Sequence, residues 1–246
     1  MKYLPQHAVK MISLFALFAG VFVPKSFSGS YNDPATLNGA WHTAEGSIEQ
    51  SLIIADSYCM LTRYDKVNKK FIHSFGGPLT ASGNQLTLKV EFNSSDKSQV
   101  GKTQTHEYSI SNNILSSTIS GSAMQWQRTD NGEGALAGNW RITQRKQGDQ
   151  MGDIPLRPRR TLKLLTATRF QWAAINIETG EFSGTGGGAY TFAGGKYTEH
   201  IEFFSRDNTR VGAALSFDGK IENGNWIHSG LSSKGDPIYE IWSGMK

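Results

Sequence analysis

The sequence predicts an all-β fold: two tandem small antiparallel β-barrels behind a short export segment. Two observations carry this. Shifted by 111 positions, residues 71–112 fall on residues 182–223 with fourteen identities in forty-two ungapped positions. Glycines and strand residues coincide, with Gly76, Gly77, Thr80, Gly83, Glu91 and Phe92 landing on Gly187, Gly188, Thr191, Gly194, Glu202 and Phe203. Self-similarity of this length means one structural unit used twice. Within both copies the apolar residues recur with period 2 in short runs cut by Gly, Asn or Asp, and no stretch carries a sustained helical period.

Taken in order, the chain opens with Lys2 and Lys10, an apolar run over 11–23, and small or polar residues around Ser26 and Ser28. That is the pattern of a secretory signal peptide, placed over 1–28. The run is short for a membrane span and no later segment approaches that length, so no transmembrane segment is expected after signal removal. The expected location is periplasmic or secreted. No cysteine lies near the cleavage region to carry a lipid.

The pI of 9.1 belongs largely to this address. Removing Lys2, Lys10 and Lys25 from the 25 basic residues leaves 22 against 21 acidic ones. A nucleic-acid partner, which needs a clustered basic face, is not expected. Cys59 is the single cysteine, so no internal disulfide forms and it reads as a small buried hydrophobe.

The first unit spans 34–128 and the second 136–246, joined by the polar connector Asp130-Asn131-Gly132-Glu133-Gly134. In the second unit strands are predicted near 140–143, 161–165, 170–175, 182–184, 189–192, 197–204, 211–217, 225–228 and 238–242. Eight or nine short antiparallel strands suggest a sheet closed on itself. Gly194-Gly195 supplies the positive φ of a tight hairpin turn, and Gly184 with Gly186 to Gly188 mark bends in a coiled strand. Residues 145–160 are about a dozen longer than the equivalent segment of the first unit and read as a loop placed to act as a lid, with Arg157, Arg159 and Arg160 able to attract an anion.

Gly39-Ala40-Trp41 and Gly138-Asn139-Trp140 each open a unit with a G-x-W, and the second unit contains the hairpin G-G-x-Y-x-F-x-G-G-K-Y-x-E. These resemble the lipocalin-like, calycin-type domains of secreted bacterial proteins. The resemblance covers nearly all of 37–246 and implies up-and-down barrels with a Trp packed across one end and a lumen at the other. It also implies a small apolar or amphipathic ligand. Of the arginine that often follows the last lipocalin strand, Arg128 is the counterpart in the first unit.

The repeat assigns faces. Leu86, Leu88, Val90 and Phe92 alternate with Thr87, Lys89 and Glu91, so the apolar set faces inward. Their counterparts are Tyr197, Glu199, Ile201 and Phe203, which places Glu199 where the first unit has Leu88. A carboxylate on an inward face needs a partner or a ligand. Arg169, Tyr190, Tyr197 and His228 are the candidate partners, and Trp172 adds an aromatic wall. The candidate ligand site is therefore Glu199, Tyr197, Tyr190, Arg169, Trp172 and His228. His200 and Glu202 share the outer face. With no metal-ligand spacing, P-loop or nucleophile elbow in the sequence, no cofactor or metal is expected. Three readings remain open: a binding protein whose second barrel takes a small, partly apolar ligand without catalysis, an interaction protein with filled barrels, and an acid/base enzyme using Glu199.

Overall fold

In the computed structural model, residues 34–232 and 235–245 are described, and the expected signal segment lies outside them. The chain forms two closed, eight-stranded antiparallel barrels. The first consists of β1 (Gly39–Glu45), β2 (Ile48–Ala55), β3 (Tyr58–Asp65), β4 (Lys70–Ser82), β5 (Gln85–Lys89), its two-residue continuation β6 (Phe92–Asn93), β7 (Thr103–Ser111), β8 (Ile114–Ser117) and β9 (Met124–Asp130). Sequential neighbours pair around the wall and β9 returns to β1, which leaves no open edge in the closed wall. The second barrel runs from β10 (Gly138–Gln147) through β11 (Gln150–Asp153), β12 (Arg159–Leu165), β13 (Arg169–Asn176), β14 (Glu181–Ala193), β15 (Lys196–Phe204), β16 (Ala214–Glu222) and β17 (Asn225–Leu231) to β18 (Pro237–Gly244), with β18 closing on β10. This is the up-and-down barrel architecture that the repeat and the paired tryptophans implied.

The tryptophans play equivalent parts. Trp41 and Trp140 are buried at the start of the first strand of each barrel, and their indoles donate to the carbonyls of Leu37 and Leu136 at 3.0 and 2.9 Å. Arg128 lies 3.9 Å over the Trp41 ring and donates to Asn38 O.

Two expected elements differ. The predicted strands at 182–184 and 189–192 are one strand, β14, bent at a register shift between Gly187 and Gly188. At Gly188 φ is +155° and a Cβ would sit 2.1 Å from His200 O, so only glycine permits the bend. The predicted strand at 211–217 begins later, at Ala214. Asp207 caps a short 3-10 turn over Asn208–Arg210 by accepting from Thr209 N, and this turn consumes the residues before it.

The insertion at 145–160 is not an irregular loop. β10 extends outward and β11 folds back on it through Gly148, pairing Gln144 with Asp153 and Gln147 with Gln150, and only 154–158 remains irregular.

The barrels pack side by side. Ile53, Tyr58, Met60 and Phe92 of the first meet Leu162, Leu164, Ala173 and Ile175 of the second in one apolar cluster. At its centre the Gln171 side chain accepts from Thr62 Oγ1 at 2.9 Å and donates to Ser74 Oγ and Thr185 Oγ1 at 2.9 and 3.0 Å. The wall of the second barrel that faces the first is thus buried on both sides. Cys59 is fully buried within the first core, where burial pushes its thiol up to about 12 and keeps it protonated.

Candidate functional site

The 111-residue shift places Lys163 of β12 where β2 has Leu52, as it places Glu199 where β5 has Leu88. Both side chains point into the second barrel. Lys163 Nζ lies 2.7 Å from Glu199 Oε1, with side-chain exposures of only 7% and 6%. Tyr197, fully buried, donates its hydroxyl to the same oxygen at 3.0 Å, and Phe170, Tyr197, Trp226 and Trp242 surround the ammonium at 5.2 to 5.7 Å. The rings add cation–π attraction to a pair that could not persist unpaired in such surroundings. Burial, then the neighbouring Glu199 carboxylate, push the Tyr197 hydroxyl well above its ordinary value, so it remains a donor.

On β18, which flanks β10 on the side away from β12, Glu240 accepts from Arg145 at 2.7 and 3.0 Å and from the Trp242 indole at 3.0 Å. The equivalent position in the first barrel is Met124, because Trp126 and Trp242 occupy matching places opposite Leu115 and Trp226. Burial works against ionising Glu240, and the Arg145 guanidinium counters it, so that the carboxyl is held below its ordinary value. The Arg145 fork is the firm contact. His228 Nδ1 is 3.6 Å from Glu240 Oε2, beyond hydrogen-bond reach.

His228 of β17 therefore stands apart. It is 3% exposed, it packs against Phe217 at a ring separation of 4.3 Å, and neither ring nitrogen has a hydrogen-bond partner. Burial, assisted by the Lys163 charge, lowers its pKa against the pull of Glu240 and keeps the imidazole neutral at pH 7. The first barrel has Ser117 at this place.

These groups line a cavity of about 450 Å³ at the mouth of the second barrel, together with Trp172, Ile201, Phe217 and Trp242. Its size falls in the range of small-molecule sites, and its lining combines apolar walls with a few polar groups. The Lys163 and Tyr197 contacts to Glu199 both fall on Oε1.

Of the six residues expected here, Glu199, Trp172 and His228 line the cavity. Tyr197 lies below and orients Glu199. Tyr190 does not line the cavity either, and its hydroxyl donates to Thr166 O at 2.6 Å. Arg169 is not among them. It projects from the outer face of β13, where it forms a two-pronged ion pair with Glu202, and Tyr64 of the first barrel donates to the same carboxylate at 3.0 Å. The alternation of β13, with Phe170 and Trp172 inward, turns Arg169 away from the lumen. Glu202 does lie on the outer face, but that face meets the first barrel rather than solvent.

The sequence reading missed Lys163, Glu240 and Arg145. For Lys163 a signal was present, since the shift that compares Glu199 with Leu88 also compares Lys163 with Leu52. With Lys163 paired to it, exchanging Glu199 for leucine strands a buried ammonium.

A lipocalin-like protein from Bacteroides uniformis is similar in structure, with 14% sequence identity and a TM-score of 0.33 over 46% of this chain and all of that one. No protein-family model and no curated protein matches the chain. Among the described residues no helix is long and apolar enough to cross a membrane, and no group of three or more His, Cys, Asp or Glu side chains is arranged to hold a metal ion.

Proposed function

We propose that the protein is an exported binding protein whose second barrel holds a small, partly apolar molecule in the cavity between Glu199, His228 and Trp172, without chemical conversion. The observation that carries this is the asymmetry of the two interiors. Where the first barrel has Leu52, Leu88, Met124 and Ser117, the second has Lys163, Glu199, Glu240 and His228, and both ring nitrogens of the buried His228 are left without hydrogen-bond partners beside a cavity. Buried polar groups are ordinarily satisfied, so groups unsatisfied from within are natural contacts for an occupant. The scaffold itself folds without them, as the first barrel demonstrates.

Native mass spectrometry of the protein purified from its own host tests both parts of this reading. A chain lacking about the first 28 residues, carrying a small molecule that the Glu199→Gln and His228→Phe variants lose, is the expected result. A chain that repeatedly comes through empty speaks for filled barrels acting as an interaction module, and retention of Met1 overturns export.

A further inference from the structure

Beside the cavity, and sharing Ile142, Arg145 and Thr161 with it, lies a second groove of about 300 Å³ between the barrel wall and the strap 154–157. Five guanidinium groups line it: Arg141, Arg145, Arg157, Arg159 and Arg160. No carboxylate does. Arg145 is paired with Glu240, whereas none of the other four has an acidic partner within salt-bridge distance among the described residues. Arg141 holds the strap down by donating to Ile154 O at 2.9 Å, and the buried Arg160 Nε has no hydrogen-bond partner. Ile142, Ile154, Leu156 and Ile175 supply an apolar side to the same groove. The insertion that builds this groove has no counterpart in the first barrel.

Cations gathered without counter-charge repel one another, and a guanidinium with a free buried N–H is matched by an oxyanion, to which arginine binds in a planar, two-pronged way. We propose that this groove binds the acidic head, a phosphate or carboxylate, of an amphipathic molecule whose apolar part enters the adjoining lumen. The proposal rests on the lumen-binding reading and adds to it a second subsite and a ligand class. Arg145 stands at the junction, where its side chain faces both the groove and Glu240.

Isothermal titration calorimetry with decyl phosphate, decanol and inorganic phosphate separates the two claims. The parent is expected to bind decyl phosphate at least tenfold more tightly than decanol. The triple variant Arg157→Gln, Arg159→Gln, Arg160→Gln alters exposed or half-buried side chains and is expected to lose that preference while retaining decanol affinity. Decanol binding with no preference for the phosphate, or a preference that survives the triple variant, overturns the groove and leaves the lumen reading standing. Failure of both amphiphiles to bind overturns both. Inorganic phosphate binding as tightly as decyl phosphate makes the groove a free-anion site and overturns the bridging ligand. Binding to anionic vesicles without binding of monomeric decyl phosphate assigns the arginines to a lipid surface instead.

Discussion

Replacing Lys163 and Glu199 by leucine, singly and together, separates what the buried pair does for stability from what the barrel requires. Either single change leaves one charge inside the barrel: Glu199 with only the Tyr197 hydroxyl, or Lys163 within its four rings. Breaking a buried pair from one side costs about 3–5 kcal/mol. The lower end applies here, because both residues border the cavity and water can reach the stranded group. If the two barrels melt as one unit, about 3 kcal/mol corresponds to a fall of about 6–12 °C for a chain of this length. The double variant recreates Leu52 and Leu88, a combination the same scaffold accommodates fully buried in the first barrel. It is expected to melt within about 1 kcal/mol of the parent or above it, since apolar replacement of a buried ion pair is often neutral or stabilising. Urea denaturation of the four proteins closes the cycle, with a coupling energy of about 3 kcal/mol or more expected. A double variant as unstable as the sum of the two single changes refutes the reasoning. It means that the pair and its aromatic surroundings hold the second barrel together.

Three further outcomes follow from the structure. His228 is held neutral, so its folded pKa lies below the ordinary 6.5 and the unfolded chain takes up the proton first. Stability contributed by the neutral ring is therefore lost as pH falls below 6.5, and His228→Phe should flatten that part of the denaturation-midpoint profile relative to the parent. Glu240 adds stability that is present above its ordinary 4.5 and is lost as pH falls through its lowered folded value. A profile identical in parent and His228→Phe just below pH 6.5 contradicts the assignment. At the contact between barrels, Gln171→Leu removes the amide shared by Thr62, Ser74 and Thr185 and should lower stability by about 1–3 kcal/mol through the hydroxyls it leaves unsatisfied. Urea denaturation reads this, and an unchanged midpoint shows that Thr62 and Ser74 satisfy each other through their own 2.8 Å contact.

The fold was legible because barrel-forming information is local and was written twice. Period-2 alternation fixes which side chains share a face, glycine pairs fix the hairpins, and the repeat confirms each assignment at a second location. The substitution of Glu199 for Leu88 was visible on that basis, and Lys163 for Leu52 could have been. What only the tertiary structure decided is which side of each wall is sealed. Leu162 and Leu164 look like the inward residues of β12, yet they meet the first barrel and Lys163 points into the lumen. Arg169 likewise reads as a partner for an internal acid, yet it is satisfied by Glu202 between the barrels. Alternation divides a strand into two faces but does not name them when both are buried, because the contact that buries the outer face comes from residues about a hundred positions away. The same holds for Arg145, His228 and Glu240, brought to one cavity only when β18 closes on β10.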